Sequence, residues 1–182
     1  MNTERKVVLY IAMSLDGYIA DTQGSIGFLS RVETPDEDYG YREFVTSVDT
    51  LIWGRKTYDT LLSFGIDFPY PDKKCYVWSQ SRTGQDANVT YYNGHLVDLI
   101  NELKQSPGED IYCDGGAELV TELLRYQLID RLIISVVPHL VGSGTRLFKE
   151  GRPEQNIQLT HSKVYPSGLV QLCYEAVRSS MD

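Results

Sequence analysis

The stretch Leu51–Thr60, LIWGRKTYDT, passes in one step from an apolar run to a glycine, two cations and a hydroxyl. A short apolar run of this kind reads as a strand covered on both faces, and Gly54 as the tight turn into a following helix. A buried strand feeding directly into a helix is the repeating unit of an α/β protein with a largely parallel sheet. Two further stretches share the context. CYVWS at Cys75 to Ser79 runs into the polar turn SQSR at Ser79 to Arg82, and DIYCDGG, beginning at Asp110, runs into the amphipathic AELVTELLRYQLID.

Outward from these turns, Val7 to Met13 is a fourth buried-strand pattern, broken by the glycine-rich loop DGYIADTQGSIG. Pro35 to Ser47 opens with acids, which favour a helix N-terminus, so a helix is expected there, with a second from about Lys56 to Leu62. Val89 to Tyr92 reads as a strand. Leu96, Leu99, Ile100 and Leu103 recur at helical spacing within His95 to Gln105. RLIISVVPHL is the longest buried-strand candidate, and the tail from Ile157 reads as two strands joined by Pro166-Ser167-Gly168. The expected fold class is α/β: a mixed, mostly parallel central sheet with helices on both faces and a C-terminal antiparallel hairpin, all in one domain over residues 1–182.

Composition sets the outer bounds. Hydrophobic residues make up 42% and charged residues 23%, the balance of an ordinary globular protein and not of a disordered chain. A formal net charge of -8 opposes long nucleic acids and anionic membrane surfaces as partners. Cys75, Cys113 and Cys173 are odd in number, far apart and without C-x-x-C spacing, and His95, His139 and His161 have no partner at a metal-ligand spacing, so no metal is expected. The apolar run near the N-terminus is too short to span a bilayer and has no signal-peptide pattern, so the expected location is cytoplasmic.

In open α/β sheets ligands sit outside the carboxyl ends of the strands, so the three turns are expected to converge on one site. Gly54 permits the turn, Thr57 offers a hydroxyl to a phosphate oxygen, and Arg55 offers a planar fork of donors. Ser79, Ser81 and Arg82 have the composition to grip a dianionic phosphate, and Gly115-Gly116 lets a pyrophosphate approach the backbone. The bland alternatives are a plain strand-to-helix turn with solvated cations, a polar turn, and glycines kept for geometry.

The ordered set SLDGYIA, GRKTY, SQSR, DGGAEL and VPHLVGSGTRLF resembles the dihydrofolate reductase superfold over nearly the whole chain, and more closely its riboflavin-biosynthesis pyrimidine reductase branch. The resemblance implies a three-layer dihydrofolate reductase-like fold and NADPH as cofactor. It implies that Gly54, Arg55 and Thr57, with Lys56 beside them, hold the pyrophosphate and the 2′-phosphate. Ser79, Ser81 and Arg82 would meet the adenosine side. Gly115 and Gly116 would lie against the pyrophosphate, with Ala117 and Glu118 at the first helical turn. Ala12 and Ile19 match backbone positions that meet the nicotinamide carboxamide. Asp38 lies sixteen residues before Gly54, where dihydrofolate reductases place a substrate carboxylate, and is the candidate catalytic acid; the alternative is that it serves the helix N-terminus. Asp16 and Arg146 are the further substrate-binding candidates, Asp16 also reading as a turn former and Arg146 as part of a connection.

Three departures narrow the expectation. The Pro-Trp pair of dihydrofolate reductases is absent from DTQGSIGFLSR, and the H-x-E and P-C-x-x-C elements of the zinc deaminase that often accompanies the pyrimidine reductase are absent too. Tyr18 stands where the branch often has arginine or lysine. The resulting expectation is an NADPH-dependent oxidoreductase acting on a small molecule like 5-amino-6-(5-phosphoribosylamino)uracil. The alternatives are a dihydrofolate or pterin reductase and a non-catalytic nucleotide-binding sensor. A homodimer is expected, paired through RLIISVV or the tail hairpin.

Overall fold

A computed structural model describes residues 4–177, in which the β-branched and aromatic runs form strands and the 3.6-residue patterns form helices. In chain order these are β1 (Val7–Ser14), β2 (Tyr18–Ala20), α1 (Tyr41–Thr46), β3 (Val48–Gly54), α2 (Arg55–Ser63), β4 (Lys74–Trp78), β5 (Gly84–Gln85), β6 (Thr90–Tyr92), α3 (Leu96–Gln105), β7 (Asp110–Gly115), α4 (Ala117–Arg125), β8 (Arg131–Val137), β9 (Thr145–Arg146), β10 (Ile157–Val164) and β11 (Val170–Ala176). A 3-10 turn covers Gly27–Val32. Nine strands form one sheet in the order β10-β11-β8-β1-β7-β3-β4-β6-β5, and β2 pairs with β9 in a separate small ribbon. From β8 to β6 the strands run parallel; β11, β10 and β5 are antiparallel to their neighbours.

Both faces of the sheet are covered, which is why its central strands read as continuous apolar runs. On one side α3 and α4 set Leu99, Ile100, Leu119 and Leu123 against Leu9, Ile52, Ile111 and Cys113. On the other, Phe44 of α1 and Tyr58 of α2 pack on Val8, Leu51, Trp53 and Tyr112. Burying one Leu or Ile side chain contributes about 1.5–3 kcal/mol, so this two-sided packing holds the strand ends in fixed register.

Three expectations on element extent are corrected. The helix expected over Pro35 to Ser47 shrinks to α1, because Asp36, Tyr39 and Gly40 take φ of 64°, 58° and 83°, which no right-handed helix accommodates. The backbone is held there by tertiary bonds: the Tyr39 carbonyl accepts from the Tyr10 hydroxyl at 2.9 Å and from Gln171 Nε2 at 3.1 Å. The helix α4 stops at Arg125 instead of running to Asp130, since Gln127 adopts φ 52° and Leu128 N donates back to the Leu123 carbonyl. The strand β8 ends at Val137, before Pro138, and lies between β1 and β11, so RLIISVV has no open edge for a second copy. No helix among the described residues is long and apolar enough to cross a membrane.

Candidate functional site

The strands β7, β3 and β4 are adjacent and parallel, so their carboxyl ends form one rim. Trp53 lies opposite Gly115, and Gly54 opposite Trp78. The first two turns touch: a Cβ on Gly54 would stand 3.4 Å from Gly116 N, and one on Gly116 would stand 2.9 Å from Thr57 Oγ1. A side chain at Gly116 would press on Thr57 and one at Gly115 is disfavoured by a φ of +100°, while one at Gly54 would sit in ordinary contact with the Gly116 turn. A cis peptide joins Gly115 to Gly116. The helices α2 and α4 start from these glycines, with Gly54 and Gly116 as N-caps that carry no side chain to accept first-turn N–H groups. Two helix N-termini with unmatched donors therefore face one crevice, the arrangement that favours an anion.

Cations line the β4 side. Arg82 Nη1 donates to Asp59 Oδ1 at 2.7 Å and Arg55 Nη1 to Asp59 Oδ2 at 3.4 Å, so two guanidiniums share one carboxylate and the group keeps a positive excess. The Arg82 guanidinium lies 5.8 Å from the centroid of the Tyr91 ring. Lys56 is exposed in the first turn of α2. Ser79 is buried, and its Oγ accepts from Ser81 N at 3.3 Å and Arg82 N at 3.1 Å, so it shapes the turn that presents Arg82. Ser81 is exposed on that turn. On the far side Ala117 is buried, while the exposed Glu118 pairs with Lys149 across the surface.

The first strand reaches the same rim. Ile11 Cδ1 would lie 3.2 Å from a Cβ on Gly115, and Ala12 follows it, opposite Ser135 of β8. Ile19 is the middle residue of β2, half-buried against the α3 and α4 side of the core. Asp16 acts as a clamp. Its Oδ1 accepts from Ser14 Oγ at 2.5 Å and Val141 N at 3.0 Å, and its Oδ2 from Gly142 N at 2.7 Å. The Ser14 hydroxyl, ahead of the two backbone donors, holds its carboxyl down at about 2. Arg146, exposed on β9, sets its guanidinium 4.9 Å from the Tyr18 ring centroid. An open hollow of about 440 Å³ lies beside this clamp, lined by Asp21, Phe28, Arg31 and His139 among others. It is wide and shallow, and the arrangement of donors at the glycine turns is the better locator of a site.

Asp38 is engaged locally. Gly40 N and Arg42 N donate to its two oxygens at 3.0 and 3.1 Å, and the Arg42 bond first, then that from Gly40, lowers its carboxyl below the usual value. A carboxylate so held is ionised at neutral pH and suited to accepting hydrogen bonds, not to giving up a proton. The opposite case is Asp114, which the sequence reading passed over. Register runs from Ile52 opposite Cys113 to Trp53 opposite Gly115, leaving Asp114 as the extra residue of a bulge beside the glycine pair. Trp53 Nε1 donates to Asp114 Oδ2 at 2.5 Å and the Tyr112 hydroxyl to Oδ1, while the hydroxyls of Tyr41 and Tyr70 bond each other nearby. Burial raises the Asp114 carboxyl above its usual range against both hydrogen bonds. The residue is partly exposed while its carboxylate is enclosed, and the enclosed oxygens decide its chemistry. A carboxylate at the end of a doubly buried strand, directly before two glycines, was the available sequence signal.

Comparison with known proteins fits this geometry. The family model described as RibD C-terminal domain matches residues 74–171. The Bacillus subtilis (strain 168) protein YwjB is 44% identical over 172 residues, covering 94% of this chain and 98% of its own length. A crystal structure of a putative riboflavin biosynthesis protein from Shewanella sp. PV-4 superposes with a TM-score of 0.88 at 34% identity, over 95% of this chain and 99% of that one. Dihydrofolate reductase from Enterococcus faecalis, solved with NADP(H), superposes with a TM-score of 0.66 at 14% identity, over 97% of this chain and 99% of that one, which establishes the dihydrofolate reductase-like fold.

Proposed function

Because the chain belongs to the RibD C-terminal domain family, we propose that it is an NADPH-dependent reductase of a small heterocycle, with 5-amino-6-(5-phosphoribosylamino)uracil as the leading substrate. The observation that carries this reading is the contact between the Gly54 and Gly116 turns beneath two helix N-termini without side-chain caps. That cradle fits a pyrophosphate, and a Cβ at Gly116 would close it. Arg55, Lys56 and Arg82 supply the charge for a 2′-phosphate, with Ser81 beside them and Thr57 facing the glycines. When bound, the reduced nicotinamide supplies a hydride.

The chain's own residues then orient and protonate. The backbone of Ala12 and Ile19 faces the carboxamide. Asp114, kept protonated further up the pH scale by burial, is the candidate to hold a proton beside the glycine pair. Asp38, ionised, serves to anchor the 36–40 turn. Arg146, stacked on Tyr18 and without an ion-pair partner among the described residues, meets the substrate phosphate. The test is cofactor oxidation with a panel of phosphoribosylaminopyrimidines and pterins. Oxidation with the former supports the leading substrate, oxidation with pterins alone reassigns it, and NADPH binding without turnover on either favours a sensor.

A further inference from the structure

Around Asp114 lies a line of tyrosine hydroxyls with no part in holding a cofactor. Hydride reduction of a heterocycle is balanced by one proton per turnover, and a donor that has given its proton up must be refilled before the next. Asp114 is poorly placed to refill from water: its carboxyl is enclosed, and a dinucleotide and substrate in the crevice would cover the glycine pair beside it. A path through the protein reaches it from the α1 side of the sheet.

The path can be followed oxygen by oxygen. Trp53 Nε1, which can only donate, bonds Asp114 Oδ2 at 2.5 Å and fixes the rotation of the carboxyl. Oδ1 accepts from the hydroxyl of the buried Tyr112. The Tyr112 hydroxyl also bonds that of Tyr41 on α1, and Tyr41 bonds the hydroxyl of Tyr70. A hydroxyl both donates and accepts, so a line of three passes a proton when each hydrogen shifts by one place. Tyr112 has a second acceptor, the Tyr10 carbonyl at 3.4 Å, to which its hydrogen turns when Asp114 is protonated. Burial raises all three hydroxyls above the ordinary tyrosine value, so no tyrosinate accumulates and the hydrogens move together. Tyr70 ends the line at the surface. It is half-buried in the largely exposed 64–72 loop, stiffened by Pro69 and Pro71, with its ring 5.7 Å from that of Trp53.

We propose that Tyr70, Tyr41 and Tyr112 relay a proton from solvent to Asp114 between turnovers, an inference that rests on Asp114 being the proton donor of the reductase. Once Asp114 has given its proton to the reduced substrate, Oδ1 takes the Tyr112 hydrogen, Tyr112 takes that of Tyr41, Tyr41 takes that of Tyr70, and Tyr70 takes a proton from the solvent. Each tyrosine ends with the hydrogen count it began with, and one solvent proton accompanies each hydride.

Stopped-flow oxidation of NADPH by the full chain, with 5-amino-6-(5-phosphoribosylamino)uracil as the probe substrate, tests the relay. Tyr41→Phe removes the middle hydroxyl and keeps its ring, and a thermal melt checks that the variant is folded. Asp114 begins the first turnover loaded, so the variant oxidises a first equivalent of NADPH per site at the wild-type rate. Every later turnover waits on refilling and slows at least about tenfold, within what a positioned proton donor contributes. A merely structural role would slow first and later turnovers alike. Tyr70→Phe shows the same burst with a smaller slowing, because water reaches the outermost position. Asp114→Asn separates the relay from the reading beneath it, since it suppresses the first turnover itself. Wild-type steady turnover in Tyr41→Phe, or the loss of its burst, overturns the relay and leaves Asp114 as donor. An intact first turnover in Asp114→Asn, or a wild type that oxidises no NADPH with the probe, overturns the donor assignment and the relay together.

Discussion

Two regions at the same end of the sheet use similar residues to opposite ends. After β3 and β7 the chain offers helix N–H donors with no side chain to receive them, and around β4 it gathers more cations than the local carboxylate matches. After β1 the side chains are bonded to the loop itself: each oxygen of Asp16 is engaged, and the Tyr18 hydroxyl donates to the Gly142 carbonyl at 3.2 Å. Both regions are rich in Asp, Gly, Ser and Arg. Hydrogen-bond satisfaction separates them, since unmatched donors await a ligand while matched ones hold a scaffold. Ser79 shows the distinction inside one turn, closing the loop with its Oγ so that Arg82 faces outward.

The contrast can be broken most severely at Gly116. Gly116→Val places its side chain against Thr57 Oγ1 and in the cradle, and NADPH affinity measured by calorimetry falls at least about a hundredfold, roughly 2.7 kcal/mol. Unchanged affinity in a folded variant would assign the glycine pair to the fold alone. Next, Asp114→Asn removes the proton holder and leaves Trp53 or Tyr112 without an acceptor. Turnover drops by about a hundredfold with NADPH affinity nearly intact, and stability falls by about 1–3 kcal/mol. Because burial raises the folded-state value, wild-type stability declines as pH rises through the carboxylate range, and denaturation of the variant loses that dependence.

A smaller effect follows from Arg82→Ala, which weakens NADPH by about tenfold and leaves NADH within about twofold, since a charge-assisted bond to a phosphate is worth roughly 1.5–3 kcal/mol. Equal losses for both cofactors would remove Arg82 from the 2′-phosphate. The smallest change in ligand binding belongs to the clamp. Asp16→Asn leaves cofactor affinity alone and lowers the melting temperature at neutral pH. Its carboxyl sits at about 2 in the folded protein, below its unfolded value near about 3.9, so the wild-type advantage is full above that value and vanishes as pH falls toward 2. A difference that persists in acid would mean that the clamp works through shape.

The order of strands and helices was legible because β1, β3, β7 and β8 are buried on both faces and because α3 and α4 each show one apolar stripe. The 36–40 segment was not. Its acids suit a helix start, but Tyr10 and Gln171, remote in sequence, hold Tyr39 in a left-handed conformation. The rim of three turns was also legible, as strand ends followed by Gly, Ser and Arg. Asp114 was not singled out, because its significance comes from a bulge and from its enclosure by Tyr112 on its own strand and by Trp53, sixty-one residues away, which local pattern does not reveal. Asp16 and Asp38 show the complementary limit: sequence shows that a carboxylate is present and not which N–H groups bond to it.

Calorimetric titration of the full chain with NADPH and, in parallel, with NADH tests the central claim most directly. Saturable one-site binding with at least about a tenfold preference for NADPH, a difference of roughly 1.4 kcal/mol, is the expected result. Heat from neither cofactor, or equal affinity for both, would contradict the assignment of the glycine and arginine turns to a 2′-phosphorylated dinucleotide.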